Sequence, residues 1–286
     1  MHNALTGHKL SVFFLLFLSS FSYSDNFNFN SYNNHGVVGL INMPTARVFD
    51  ESVHGITFFN GDPDSKITLT ANTFSWLEAS FFYTSINNVP YCSVESDPVC
   101  NQSYKDKGFN FKIKIKEEGL LPAVAIGIND IAGSGFYGSE YLVGSYGMNN
   151  VDFHFGFGWG ALNGSSKSFK NPLRLINDKF NDRTESFDEG YAFEGTGSLQ
   201  MGRYFSGEIS PFYGITYAAN EKIILKIERD TTLTPGKVGY KKAKNEFSFG
   251  IEYSVNNNFI IGLSQERGDL ISFKFIYKND PKRSIK

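Results

Sequence analysis

The side chains best suited to chemistry in this sequence are one histidine and a few carboxylates within alternating segments. Asp152 and His154 are two residues apart, so both lie on the same face of an extended strand. Such a pair can act as a general base, but on an inward face it more commonly belongs to a hydrogen-bond network. Glu78, Glu140 and Glu252 could serve as paired carboxylates in hydrolysis, yet no spacing brings them together. We therefore predict no catalytic residue.

Other chemistry is not indicated by the motifs or the charge. Residues 133–135 (Gly-Ser-Gly) lie between two strand candidates with no following helix, which favours a turn over a phosphate loop. The five histidines are scattered and do not cluster with cysteines as zinc ligands do. With 27 basic and 29 acidic residues, the chain has no excess of cations to attract nucleic acid. We expect a non-enzymatic protein with no metal, no cofactor and no nucleic-acid partner.

The two cysteines and the N-terminus indicate an exported protein. Residues 1–24 resemble a secretory signal peptide, with His8 and Lys9 before a short apolar run and cleavage before Asp25; an uncleaved anchor is the alternative. Cys92 and Cys100 lie in a polar segment between two strand candidates. In an oxidising compartment we expect them to form a disulfide, with two unpaired thiols as the alternative.

The elements that must position these side chains are β-strands. In residues 109–116, apolar side chains alternate with one asparagine and three lysines, and a period of two places the two sets on opposite faces. A helix would spread those lysines around its surface. Segments 151–159, 247–253 and 271–277 repeat the pattern. Weaker examples bring the total to about twelve strands; they are residues 54–60, 66–72, 76–86, 122–129, 136–146, 210–218, 222–229 and 258–266.

The large size of the apolar side chains indicates which face of the strands is on the outside of the barrel. Aromatic residues make up 16% of the chain, and a closed barrel of about twelve strands could not pack so many of them inside. Closure also leaves no open strand edge, as a bilayer requires. We predict an all-β fold, a single antiparallel up-and-down transmembrane β-barrel of ten to fourteen strands over residues 54–277, followed by a basic tail, 278–286. A soluble β-sandwich or lipocalin-like barrel is the alternative.

In that barrel the polar face would line the lumen. The side chains assigned to it carry charges of both signs, which favours a narrow, structured lumen over an open pore. They are Glu78, Lys112, Lys114, Asp152, His154, Glu252 and Lys274.

Residues 36–47 (GVVGLINMPTAR), within the N-terminal segment 25–53, are not typical of a barrel strand. They resemble the opening of the YjbH family, outer-membrane proteins associated with exopolysaccharide and capsule production in Gram-negative bacteria. The resemblance extends over residues 35–277. It is carried further by residues 79–84, 106–109, 121–127, 133–143, 156–160 and 262–268.

This resemblance implies an outer-membrane barrel that assists export or assembly of an exopolysaccharide or capsule. Members of the family are commonly longer, and this chain resembles their N-terminal barrel half only; many are lipoproteins, whereas this chain has no cysteine at the cleavage site. The partners implied are outer-membrane lipids and lipopolysaccharide, polysaccharide, and periplasmic export proteins. A small channel or porin, and an outer-membrane hydrolase, remain the alternatives.

Two short segments are predicted to have special roles. The 36–47 motif would either enter the lumen as a plug, engage a partner, or form a strand or turn that helps to close the barrel. Its residues of interest are Gly36, Gly39, Pro44, Thr45 and Arg47. Residues 266–273 resemble the C-terminal signal read by the barrel assembly machinery, with a chance match in an alternating strand as the alternative.

Overall fold

The computed structural model describes residues 30–91, 102–183, 187–188, 191–192, 197, 199, 201–235, 240–241, 244–268 and 270–282. The predicted signal peptide and the predicted Cys92–Cys100 disulfide lie outside the described residues.

The described parts of the chain contain sixteen β-strands and two short 3₁₀ helices, Pro172–Leu175 and Asp178–Phe180. The strands are β1 (His54–Asn60), β2 (Asp64–Phe74), β3 (Leu77–Pro90), β4 (Ser103–Lys116), β5 (Ala123–Ile131), β6 (Ser139–Met148), β7 (Val151–Gly160), β8 (Phe187–Asp188), β9 (Tyr191–Ala192), β10 (Ser210–Ala218), β11 (Ile223–Arg229), β12 (Thr234–Pro235), β13 (Tyr240–Lys241), β14 (Phe247–Ser254), β15 (Phe259–Glu266) and β16 (Leu270–Asn279).

Twelve of the strands in the described residues form one closed barrel, in which each strand pairs antiparallel with its neighbours along the chain. The barrel closes where β1 pairs with β16, with Phe58 opposite Phe275. The short pairs β8–β9 and β12–β13 lie in the connections between barrel strands. The predicted up-and-down β-barrel is therefore confirmed.

The two ends of the barrel differ. At the end where β1 begins and β16 ends, the strands are joined by short connections; this is the turn end. At the other end the connections 91–102, 161–209 and 230–246 are much longer; this is the loop end.

The wall has an apolar outer face and a polar inner face. On β2, Ile67 and Leu69 point outward and are half-exposed, whereas Lys66, Thr68 and Thr70 point inward and are buried. The same alternation is seen on β4, β7, β10 and β11. In water, exposing so many large apolar side chains would oppose folding, but in a bilayer that face contacts lipid tails. The barrel is therefore built to span a membrane by its strands.

Some boundaries differ from the predicted ones. β4 begins at Ser103, six residues before the predicted start, and β3 continues to Pro90. β16 runs through Asn279, two residues into the segment predicted as a tail. None of the helices in the described residues is long and apolar enough to cross a membrane.

Candidate functional site

Residues 30–53, here called the lumen segment, lie inside the barrel apart from the exposed residues 50–52. Tyr32, Leu40 and Met43 are fully buried. The segment folds on itself through short-range hydrogen bonds, such as the Leu40 N–H to the Met43 carbonyl at 2.8 Å, and through isolated bridges between Tyr32 and Val38 and between Gly39 and Pro44. Its described residues contribute no strand to the barrel wall, which begins at His54.

An ion pair on the wall binds both backbone groups of Val38. The Val38 N–H donates to Glu78 Oε1 at 2.8 Å, and its carbonyl accepts from Lys112 Nζ at 2.8 Å. Glu78 and Lys112 face each other across β3 and β4, and their charged atoms are 2.8 Å apart. Because all three residues are buried, each charge and each peptide group depends on the others for its hydrogen bonds.

A carboxylate on β11 binds the turn of the lumen segment. Glu228 accepts hydrogen bonds from the backbone N–H groups of Ile41, Asn42 and Met43 at 2.9, 2.8 and 3.1 Å. These hydrogen bonds satisfy three buried peptide N–H groups that no strand pairs, and an unsatisfied buried donor would cost stability. Glu228 therefore binds the backbone of this turn, through groups that every non-proline residue carries.

Two lysines bind carbonyl groups of the lumen segment from the same side of the barrel. Lys226 Nζ donates to the Gly39 carbonyl at 2.9 Å, and Lys274 Nζ donates to the Tyr32 carbonyl at 2.9 Å. Both lysines also pair with Glu252, at 3.0 and 2.9 Å. The lumen charges are thus matched with each other and with the peptide groups of the segment, so they are not left unpaired in a dry interior.

Near the loop end, amide side chains connect the segment to two more carboxylates. Asn42 Nδ2 donates to Asp230 at 2.8 Å and to Glu266 at 2.7 Å, and Asn34 Nδ2 donates to Glu266 at 2.9 Å. A cavity of about 20 Å³ remains here, bordered by these asparagines and His35. That volume holds about one water molecule and is far too small for a sugar ring.

Near the turn end, Arg47 anchors the segment. Its Nε and Nη2 donate to the two oxygens of Asp152 at 2.9 and 2.7 Å, and Nη2 also bonds Glu118. His154 lies 3.7 Å from Asp152, and its ring contacts Ser145 Oγ at 2.8 Å. Asp152 and His154 therefore belong to a buried network that holds Arg47.

The glutamates considered for hydrolytic chemistry are held apart. Glu78 pairs with Lys112, Glu252 with Lys226 and Lys274, and Glu140 with Arg183 at 2.6 Å. Each carboxylate thus pairs with its own cation or cations, and no two of these carboxylates share a partner. Within the described residues no His, Cys, Asp and Glu side chains converge as a metal site would require.

The residues predicted to line the lumen lie on the inner face. Glu78, Lys112, Asp152, His154, Glu252 and Lys274 are buried there. Lys114 is near the turn end, partly exposed, and pairs with the exposed Glu117 at 2.5 Å.

The predicted motif residues all lie in the lumen segment. Gly39 and Pro44 pair with each other, and the Thr45 N–H reaches the Val38 carbonyl at 3.4 Å. Gly36 has φ +81°, and a Cβ there would lie 2.5 Å from the Cβ of Thr68 on β2. A Cβ on Gly39 would lie 2.5 Å from the Met43 carbonyl oxygen. The two glycines thus permit the close backbone approach on which this fold depends.

We expect Gly36→Ala to destabilise the protein. The positive φ alone costs an L-residue about 1–2 kcal/mol, and displacement of Thr68 adds to that loss. Urea unfolding of the chain in lipid vesicles measures the change. Gly119→Ala is the matched control, because a Cβ at Gly119 meets no atom within 4 Å. Equal midpoints for the two variants would contradict the close packing described for Gly36.

Several residues of this site were not identified from the sequence. Lys226 and Glu228 lie two residues apart on β11, so their shared inward face was the available signal. Asn34, Asn42 and Glu266 carried no such signal, because they lie outside the alternating strands or at a strand end.

A larger pocket opens at the loop end, beside the barrel mouth. It has a volume of about 340 Å³ and is here called the loop-end groove. Asn163, Asn181, Asp182, Ser206 and Glu208 are among its lining residues. The volume falls in the range of small-molecule sites, and the lining is rich in hydrogen-bonding groups.

Comparisons with known proteins place the chain in a family. Two solved porin structures align with 80% of the chain: the KdgM porin (98% of its own chain, 7% identity, TM-score 0.42) and the NanC porin (99%, 9% identity, TM-score 0.39). An Escherichia coli K12 protein described as "Uncharacterized lipoprotein YjbH" is 34% identical over 246 residues. That match covers 85% of this chain and 34% of the relative, so the chain spans about a third of that protein's length. The YjbH family model, described as "Exopolysaccharide biosynthesis protein YbjH", matches residues 31–285. The chain belongs to the YjbH family.

Proposed function

We propose that this protein is an outer-membrane barrel, closed by its own lumen segment, that assists export or assembly of an exopolysaccharide without catalysing a reaction. The observation that carries the proposal is the occupied lumen: buried polar side chains of the wall bind the backbone of residues 38–43, and the cavity beside Asn34 and Asn42 measures only about 20 Å³. We take the polymer to be an exopolysaccharide because the family is named for exopolysaccharide biosynthesis.

The asymmetry of the barrel supports an outer-membrane location and a direction. Barrels of that membrane have short turns on the periplasmic side and longer loops on the outside. On this basis the turn end faces the periplasm, where export proteins are partners, and the loop end faces outward. Because the proposed location is the outer membrane, lipopolysaccharide and the barrel assembly machinery are proposed partners as well.

The two alternatives have less support. A porin needs a water-filled path, and the lumen segment occupies it. A hydrolase needs two carboxylates that can exchange a proton near the substrate, whereas Glu78, Glu140 and Glu252 are each bound to a separate cation.

We place contact with the polymer in the loop-end groove, because a sugar chain cannot enter the closed lumen. Asn181, Asp182 and Glu208 present amide and carboxylate groups that hydrogen-bond sugar hydroxyls. Glu208 is exposed and lies at the mouth of the barrel, just before β10.

The test is genetic complementation with measurement of polymer at the cell surface and in the periplasm. We expect deletion of the gene to lower surface polymer and the intact protein to restore it. Glu208→Ala should lower surface polymer several-fold, because a hydrogen-bond acceptor in the groove is lost. Glu221→Ala, which removes an exposed carboxylate at the turn end, is the matched control and should restore polymer fully.

Each other outcome counts against the proposal. Unchanged surface polymer after gene deletion would remove the export role. A changed polymer length without a change in amount would favour the hydrolase. Equal behaviour of Glu208→Ala and Glu221→Ala would remove the groove as the contact site.

A further inference from the structure

The connection between β7 and β10 contains a strongly basic stretch, residues 167–180, here called the basic segment. It carries Lys167, Lys170, Arg174 and Lys179 against a single acid, Asp178, in a chain whose net charge is −2. All four cations are exposed, and none of them forms an ion pair with the described part of the chain. Outside the segment, Glu208 accepts a hydrogen bond from Ser168 Oγ.

The same segment exposes large apolar side chains. Leu175 is 86% exposed and Ile176 is 78% exposed, more than the aliphatic side chains that face lipid on the barrel wall. Phe169 is 54% exposed. Isolated apolar side chains on a protein surface are ordinary, but three of them interleaved with four cations form an amphipathic surface.

This exposure occurs in a fixed backbone. Asn171 caps the first 3₁₀ helix by accepting from the Leu173 N–H at 3.0 Å, and its Nδ2 donates to the Phe205 carbonyl at 2.7 Å. The start of the segment is held at Ser166, whose N–H donates to Glu246 at 2.7 Å. Burial opposes ionisation of Glu246, but hydrogen bonds from Ser166 and Arg229 lower its pKa below the usual value, so this anchor is charged at neutral pH.

The segment begins on the outer side of the barrel rim. Phe169 pairs with Ile209 through two backbone hydrogen bonds of 2.8 and 2.9 Å. Residues opposite each other in such a pair direct their side chains to the same face. By strand alternation Ile209 shares the outer face of Pro211 and Tyr213, although its own side chain is buried, whereas Ser210 and Phe212 face the lumen. The bridge therefore places the exposed Phe169 on the outer side of the wall.

We propose that the basic segment binds the phosphate-bearing headgroup layer of an anionic lipid leaflet at the loop end. Lys167, Lys170, Arg174 and Lys179 contact phosphates, and Leu175 and Ile176 enter the boundary with the acyl chains. A soluble anionic polysaccharide would satisfy the cations but would leave the apolar side chains in water, so the lipid surface accounts for both. This inference is independent of the proposed role in polysaccharide export.

The test uses the full chain reconstituted in vesicles of phosphatidylcholine, with or without one third phosphatidylglycerol. Ile176→Trp introduces a reporter, and subtracting the parent spectrum removes the emission of Trp76 and Trp159. A lipid carrying a nitroxide near the headgroup quenches a tryptophan at that depth. We expect quenching of the reporter to be several-fold stronger in the vesicles that contain phosphatidylglycerol.

Charge variants separate specific contact from general attraction. Adding Arg174→Gln and Lys179→Gln to the reporter should reduce quenching in anionic vesicles to the phosphatidylcholine level. Lys116→Gln with Lys222→Gln removes two exposed cations at the turn end and should leave quenching unchanged. Equal quenching in both lipids, or equal effects of the two charge pairs, would overturn the proposal. Equal quenching in both lipids, together with a loss of quenching on addition of dextran sulfate, would favour a soluble polyanion instead.

Discussion

We expect the chain lacking residues 30–50 to conduct ions in planar lipid bilayers, whereas the intact chain stays silent. The twelve strands that form the barrel in the described residues enclose a lumen whose wall is polar and charged, and the lumen segment fills it. Without the segment, water would enter and solvate Glu78, Lys112, Lys226 and Glu228. Single-channel recording measures the difference, which should be a change from no current to discrete openings.

Add-back provides the control for this deletion. A synthetic peptide of residues 30–50 should reduce the current of the deleted barrel, because the wall binds its backbone. Far-ultraviolet circular dichroism in the same lipid must first show that the deleted chain is folded. Openings of the intact chain would support the small-porin alternative. A folded but silent deletion variant would mean that the loops, and not residues 30–50, close the barrel.

Replacing Lys112 with methionine should lower the free energy of unfolding by about 3–5 kcal/mol, the usual cost of leaving a buried partner charge uncompensated. Lys112 is fully buried and binds both Glu78 and the Val38 carbonyl. Its loss leaves the buried Glu78 carboxylate without a compensating charge and the Val38 carbonyl without its shorter hydrogen bond. Urea unfolding in vesicles, followed by tryptophan fluorescence, measures the change.

Two further variants test the origin of that loss. Lys114 lies two residues from Lys112 on β4 and forms a partly exposed ion pair with Glu117. Lys114→Met removes that pair and should lower the free energy of unfolding by about 1 kcal/mol or less. Glu78→Leu combined with Lys112→Met should cost less than the sum of the single changes, because no charge is then left unpaired. Additive losses, or an equal loss for Lys114→Met, would contradict a buried, coupled pair.

The barrel wall could be predicted from the sequence because its signal is local. Apolar and polar residues alternate along each strand with a period of two. In Phe247–Ser254, for example, Phe249 and Ile251 face outward, and Ser248 and Glu252 face inward. Short turns then fix the antiparallel order of neighbours. The positions of most strands, and the inward direction of the polar side chains predicted to line the lumen, followed from this alternation and these turns.

Strand length was less predictable where a strand extends beyond the part of the barrel whose outer face is apolar. The first part of β4, from Ser103, carries Lys105 and Lys107 on its outer face, so the apolar alternation is missing there. β3 pairs with it nonetheless, with Ser85 opposite Lys105. Backbone pairing propagates beyond the lipid-facing region, and the hydrophobic pattern does not record this extension.

The position of the lumen segment was left open between a plug, a partner motif and a strand. Its apolar run from Val37 to Ile41 has no strand or helix period that fixes a face. The interactions that hold it are also invisible in sequence, because Glu228 and Lys226 bind peptide N–H and carbonyl groups that every residue carries. Only a three-dimensional register could reveal which wall charges meet which peptide groups.

Recognition of the backbone has a consequence for how this protein can diverge among its relatives. A wall that binds peptide groups tolerates exchange of Val37 or Ile41 for another aliphatic residue of similar volume. It does not tolerate a side chain at Gly36, nor the loss of Glu228. Evolutionary constraint should therefore be concentrated on glycines of the segment and charges of the wall, which lie far apart in the chain and change only together.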